Sequence, residues 1–296
     1  MHPSRPYLLL LLVLSATACR RSAPPLTVPQ GGAPPSLRLE FRPPVDTALL
    51  ETVTSSMRRE GAEGVQEAEL TTTSRFTPES KGLWLLTQQV TQARYTRDGT
   101  PVETPVADVL TRVPLRVRLA ADGTFLQVLE PGAFLSALRA TAPEGWDVTA
   151  LERFFAPERV GARARQEWEA KYGGLYGPPL EPGQHSYGVG TVALGGREVT
   201  YLLERTFIGT QLTEYGEAAV FTLRCLGEPG EEALEAVGEV TLTPGVTCEG
   251  EQWVGRGRFL PLRRSLTLRA PVDGETWTWA LRSTLESTQS LEEEQP

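Results

Sequence analysis

Residues 113–119 give the clearest alternation in the chain, with Val113, Leu115, Val117 and Leu119 interleaved with Pro114, Arg116 and Arg118. A period of two predicts a strand with one dry and one wet face. Asp122-Gly123 then marks a tight turn into a second run at 124–129, so the two runs predict a hairpin. Earlier strands are predicted at 49–57, 67–76 and 83–95, where many polar positions are Thr, Gln and Glu, and Asp98-Gly99 supplies another turn. From Leu37 to about Leu129 the pattern contains almost no helix. Strands resume at Ser186, with Val199, Tyr201, Leu203 and Phe207 on one face. Further runs follow at 219–226, 236–242, 246–254, 262–270 and 276–285. In the last, Trp277, Trp279, Leu281 and Leu285 face one way, and Thr278, Arg282 and Glu286 the other.

Helical spacing is confined to the middle, at about 131–176. Phe134, Leu135 and Leu138 predict a short helix after Pro131, and Asp147 is placed to cap a second that carries Leu151, Phe154 and Phe155. Pro157 suits the first turn of a third, whose Val160, Ala164, Trp168 and Tyr172 form one stripe. Arg163–Glu167 and Glu167–Lys171 are spaced as supporting ion pairs. The Gly- and Pro-rich residues 173–183 break the helix and read as a flexible exit. The order strands, helices, strands predicts a mainly β (α+β) domain over 36–287. Its expected form is an antiparallel curved sheet or half-barrel, interrupted by the helical insert and followed by a frayed acidic tail at 288–296.

The N-terminus carries Arg5, an unbroken apolar run at 8–14, then Ser15, Ala16, Thr17, Ala18 and Cys19. The apolar stretch is shorter than the ~20 residues of a bilayer-spanning helix, which predicts a signal peptide over 1–18. Ser-Ala-Thr-Ala-Cys resembles the lipobox of bacterial lipoproteins, with Ala16 where that family usually has Leu. The resemblance implies that Cys19 is lipidated and becomes the new N-terminus, so the membrane is the first partner. Arg20 stands where an Asp would imply retention in the inner membrane, which points to the outer membrane facing the periplasm. Residues 19–35, with Pro24, Pro25, Pro29, Pro34 and Pro35, read as an extended tether, reaching about 50 Å at roughly 3.1 Å per residue.

Charge narrows the choice of partner. The full chain has 29 Lys+Arg against 37 Asp+Glu, and cleavage before Cys19 removes only Arg5. The acidic balance argues against nucleic acid. With Cys19 modified, Cys225 and Cys248 remain as an even pair on apolar strand faces in an oxidising compartment. A disulfide between neighbouring strands is expected, with two free buried thiols as the alternative.

Catalytic and metal chemistry find little support. His185 is the single histidine after residue 18, so a multi-His metal site is excluded, and neither Lys81 nor Lys171 completes a phosphate loop. Residues 183–188 approach a nucleophile elbow but lack its first Gly spacing and its strand-turn-helix setting. His185 reads as a hydrogen-bonded loop residue. No cofactor and no metal are read from the sequence. Arg256, Arg258, Arg263 and Arg264 cluster as a solvated strand edge. The aromatic side chains are ordinary sheet core, or else Phe154, Phe155, Trp168, Trp277 and Trp279 line an apolar cavity under the helices.

The arrangement is similar to that of the periplasmic lipoprotein carriers, whose half-barrel is covered by helices. The turn patterns resemble secreted bacterial lipoproteins, a resemblance that implies no activity. Two readings stay open. One is a module that binds an apolar ligand or a lipoprotein under a helical lid. The other is a structural lipoprotein that binds an envelope protein and has no ligand cavity. An enzyme comes third.

Overall fold

A computed structural model describes residues 37–142 and 148–290. Cys19, the tether to residue 35, Asp147 and residues 291–296 lie outside the described residues. The strands are β1 (Leu37–Arg38), β2 (Thr47–Arg59), β3 (Val65–Pro78), β4 (Trp84–Arg97), β5 (Thr100–Pro101), β6 (Leu115–Leu119) and β7 (Phe125–Leu129). After the helices come β8 (Pro179–Leu180), β9 (His185–Leu194), β10 (Arg197–Thr213), β11 (Gly216–Leu226), β12 (Thr247–Gly255), β13 (Pro261–Val272) and β14 (Glu275–Ser290). The helices are α1 (Pro105–Arg112), α2 (Gly132–Thr141), α3 (Thr149–Phe154), α4 (Pro157–Tyr172) and α5 (Glu231–Val237).

Both β halves belong to one antiparallel, open sheet, ordered β7-β6-β4-β3-β2-β14-β13-β12-β11-β10-β9, with β5 attached to β4. The chain therefore starts in the middle of the sheet, walks out to one edge, crosses by α2–α4, and returns from the other edge. The two halves meet where β14 pairs with β2, from Trp277 opposite Arg59 to Ser290 opposite Thr47. Such a wide sheet must twist and coil, because each strand is rotated against its neighbour in one hand. The coiling brings Gly195, in the β9–β10 turn, against the Trp277 indole of β14, 3.0 Å from where a Cβ would stand. That turn needs Gly for a second reason, a φ of +55.

One face of the sheet is concave, and α1–α4 pack into it. Alternation assigns that face: Glu51, Val53 and Ser55 of β2 stand opposite Leu285, Ser283 and Leu281 of β14. Three clusters fill it. Leu70 and Val90 meet Val106, Val109, Phe134, Leu138 and Phe155 of the first three helical segments. Leu203, Leu223, Leu266, Leu268, Trp279 and Met57 close the coiled C-terminal half. Leu49, Phe76, Leu86, Trp168, Tyr172 and Phe259 pack between α4 and the sheet.

Several expectations are corrected. Residues 105–112 are helical: Thr104 accepts a hydrogen bond from the Val106 N–H at 3.3 Å, and Pro105 fits the first turn. Residues 236–242 do not form a strand. Glu231 and Glu232 favour a helix start, α5 runs to Val237, and Gly238 ends it at φ 75. β14 continues to Ser290, so residues 288–290 belong to the sheet and not to a frayed tail. His185 lies in β9 and not in a loop. Residues 173–183 are no loose exit, since Leu175 and Leu180 are buried, and the Gly177 and Gly183 N–H groups donate to Leu39 and Phe207 carbonyls. Arg163 does not pair with Glu167; it donates to the Phe154 carbonyl and lies 3.4 Å over that ring. Nor do the four C-terminal arginines line an edge. β13 sits inside the sheet, Arg256 pairs with Glu217, Arg263 with Glu251, and Arg264 is buried.

Cys225 and Cys248 form the expected disulfide. They stand one step beyond the Arg224–Glu249 pair that ends the β11–β12 ladder, with Cα atoms 4.9 Å apart.

Candidate functional site

Helix α4 bridges the gap that the open sheet leaves, packing against both edge strands, β9 and β7. Its Val160, Trp168 and Tyr172 are buried with Ala164 packed beside them, the stripe expected from spacing. Close approach to β9 depends on Gly188, where a Cβ would stand 2.9 Å from the Glu169 carbonyl oxygen. On the other side, Arg165 donates to the Leu126 carbonyl at 2.8 Å and lies over the Phe125 ring, shielding the free edge of β7.

The last carbonyls of a helix have no partner within it. Here the sheet supplies them. Arg205 of β10, with no exposed surface, donates to Glu169 at 3.2 Å, to Ala170 at 2.8 Å and to Gly173. It is oriented by Ser186 Oγ at 3.1 Å and the Tyr187 carbonyl at 2.9 Å. Gln252 Nε2 donates to the Lys171 carbonyl at 2.7 Å. A cation at this end also complements the helix dipole.

Between α4 and the concave face lies a cavity of about 40 Å³. Aromatic walls come from Phe76, Phe125, Trp168, Tyr172 and Phe259, and aliphatic ones from Leu49, Leu86, Leu115 and Val117. Five polar side chains enter the same space: Glu51, Ser74, Gln88, Glu167 and Lys171. Glu167 and Lys171 pair at 2.7 Å. The Glu167 side chain is 57% exposed at the cavity rim. The charge of Lys171 holds its carboxyl below the usual range, against the opposing effect of burial. Glu51 behaves in the opposite way. Burial raises it above the usual range, and only partly do the charge of Lys171 and a hydrogen bond from Ser283 counter that.

One end of the aromatic floor is filled by the chain itself. Leu37, Leu39 and Phe41 are buried while Arg38, Glu40 and Arg42 are exposed, so this extended segment points every second side chain inward. The Phe41 ring sits 5.1 Å from Phe259, 5.4 Å from Tyr176, 6.1 Å from Phe76 and 6.2 Å from Trp168, all edge to face. Edge-on packing of this kind suits the ring quadrupoles. The turn at Asp122-Gly123 completes the enclosure. Trp168 Nε1 donates to the Gly123 carbonyl at 2.9 Å, and a Cβ at Gly123 would lie 2.7 Å from the Phe41 ring.

Of the five aromatic residues singled out in the sequence, the structure brings only Trp168 to this cavity. Phe155 is buried and Phe154 half-buried beneath α1 and α2, while Trp279 and Trp277 belong to the coiled C-terminal half. The polar members of the site were not found from sequence. Glu51 and Arg264 fall on the inward side of their strands' alternation, which was the available signal. His185 stands away from this site; its Nδ1 is 3.0 Å from Thr206 Oγ1 and 3.7 Å from Glu204 Oε1.

Neither a protein family nor a curated protein matches the sequence. Among solved structures, lipovitellin in a study of its lipid–protein interactions is 11% identical with a TM-score of 0.42, over 85% of this chain. The chain spans 26% of that much longer protein. A Bacteroides fragilis protein with a YmcC-like fold is 11% identical with a TM-score of 0.31, over 85% of this chain and 99% of its own. A DUF1329 family protein from Desulfovibrio piger is 8% identical with a TM-score of 0.24, over 82% and 86%. Likenesses this distant leave function to be argued from the chain's own residues. Among the described residues, no helix is long and apolar enough to cross a membrane.

Proposed function

We propose that this is a lipid-anchored protein of the bacterial envelope that holds an amphiphilic ligand on the concave face of its sheet, under α4. The observation that carries the reading is the mixed lining of the cavity: five aromatic walls with Glu51, Glu167 and Lys171 at one place among them. Aromatic and aliphatic walls suit an apolar tail, and a few convergent polar groups suit a head group. The lipobox-like Cys19 supports a site facing the periplasm from the outer membrane, and the disulfide fits an oxidising compartment.

Size sets a condition on this reading. A cavity of about 40 Å³ holds roughly one water, whose share of the liquid is ~30 Å³, whereas ligand sites are usually ~300–1,000 Å³. On this reading the conformation described is the closed one, and entry requires the site to widen. The C-terminal end of α4 is held by Arg205 and Gln252, so widening is expected elsewhere. Native mass spectrometry of the tagless domain, together with titration by N-phenyl-1-naphthylamine, tests the reading. Copurified lipid or micromolar dye binding supports it. A domain that carries no lipid and binds no dye overturns it, and the small cavity then favours an envelope protein as partner.

A further inference from the structure

The segment Leu37–Phe41 differs from every strand around it. β2, which follows, is bonded along its whole length to β14 and β3. The segment has a two-residue pairing with β8, Leu37 opposite Leu180 and Arg38 opposite Pro179. Beyond it, Leu39 accepts from the Gly177 N–H at 3.0 Å and Arg42 accepts from the Phe259 N–H at 2.9 Å. Weak backbone bonding combined with deep side-chain burial is unusual. Leu39 has no exposed surface, and Phe41 occupies the ring of Phe76, Trp168, Tyr176 and Phe259. Three of those four rings belong to core positions that also wall the cavity under α4, namely Phe76, Trp168 and Phe259. Cavity and segment thus share one aromatic track.

We infer that Leu37–Phe41 is a built-in occupant of an acyl-chain site, displaced when a linear amphiphile enters along the same track. The inference rests on the ligand-binding reading above and names where the tail lies. Three inward side chains at two-residue spacing cover roughly 13 Å of narrow track at ~3.3 Å per residue. A linear chain matches that shape, and a compact ring system does not. Release of the segment joins its space to the existing cavity, which supplies the missing volume without moving α4 or breaking the main sheet. Elements with few backbone bonds open at the least cost in free energy. The segment also stands at the start of the described residues, so no earlier described element has to move with it. An occupant in the same chain lowers apparent affinity by the fraction of molecules in which the site is free.

Two measurements on the full chain test this. In the first, Leu39→Ala with Phe41→Ala is titrated with cis-parinaric acid, a linear fluorescent fatty acid, beside Phe155→Ala as a cavity of similar origin in another cluster. The inference expects the double variant to bind at least about tenfold tighter than the wild type, and Phe155→Ala to bind like the wild type. In the second, hydrogen exchange of the wild type is followed with and without myristate. The Gly177 amide, which bonds to Leu39, and the Phe259 amide, which bonds to the adjoining Arg42, are expected to lose protection when myristate binds, while the β2–β14 ladder keeps its own. If the wild type binds dye and myristate but these amides stay protected and the double variant gains nothing, the segment is plain core; the cavity reading survives and this inference falls. Absence of binding by wild type and double variant alike overturns both. Should the double variant fail to fold, the exchange measurement alone decides.

Discussion

Arg205 Nη1 donates to the carbonyl of Ala170 at 2.8 Å, tying the centre of β10 to the last turn of α4 across the inside of the sheet. Replacing Arg205 with Met keeps much of the side-chain volume and leaves the carbonyls of Glu169, Ala170 and Gly173 short of a donor. A loss of about 3 kcal/mol is expected for several buried acceptors. For a domain of this size that lowers Tm by roughly 6–12 °C in a thermal melt. Arg205→Lys should recover less than half, because an ammonium lacks the planar fork that reaches several carbonyls at once. A Met variant that melts with the wild type would remove the clamp from the account.

The two cavity carboxylates predict opposite pH responses. Glu51 is raised by burial, so the folded chain holds its proton to higher pH than the unfolded chain does. Its stabilising contribution is present below the unfolded value, 4.5, and is lost as pH rises through the folded one. Glu167 is lowered, chiefly by Lys171, so its contribution is present above 4.5 and is lost as pH falls through the folded value. Glu51→Gln should therefore raise Tm near neutral pH and have little effect at about pH 4. Glu167→Gln should lower it near neutral pH, with the difference again shrinking on acidification. Melts across that range read both signs.

The Cys225–Cys248 bond closes a loop with a sequence separation of 23 residues. In the chain-entropy picture such a loop contributes roughly 3 kcal/mol. Reduction should lower Tm by about 6–12 °C, and non-reducing peptide mapping should find the two cysteines in one linked peptide. Both thiols alkylating after unfolding without reductant would contradict the bond.

Trp168 separates packing from hydrogen bonding. Trp168→Phe keeps a ring against Phe41 and Phe259 but leaves the Gly123 carbonyl without its indole donor, at an expected cost of about 1–3 kcal/mol. Trp168→Ala also opens a cavity and should cost about 3–5 kcal/mol. Denaturant titration distinguishes the two, and an Ala variant no worse than Phe would mean that the ring carries little.

Cys19→Ser tests the anchor implied by the lipobox resemblance. The variant should move from the membrane fraction to the soluble envelope fraction. Retention in the membrane fraction after a high-salt wash would contradict lipid anchoring at this residue.

Most of the sheet was legible because its strands obey simple alternation. Leu262, Leu266 and Leu268 in β13, and Trp279, Leu281 and Leu285 in β14, point inward as their spacing implies. The same rule misled where an inward position is polar. Arg264 and Gln252 break the apolar series, yet both are buried and sit at the end of α4. Their role depends on a helix some eighty or more residues earlier in the chain, which no local pattern can report. Missed α1 is a different case, since Thr104 and Pro105 form a recognisable start. Short length and flanking strands hid it. The place of Leu37, Leu39 and Phe41 was half legible: they alternate, but nothing local says that their partners are helix α4 and the β12–β13 connection.

The seam between β2 and β14 carries a consequence for biogenesis. β2 is among the first strands to leave the ribosome, and its β14 neighbour is the last of the described elements. Until β14 arrives, one side of β2 presents a long row of unpaired amides and carbonyls in the midst of an unfinished sheet. Pairings this remote in sequence form slowly, and waiting edges recruit other chains. The seam that joins the two halves of the sheet is therefore complete only once β14 has been made, however early β2 is ready.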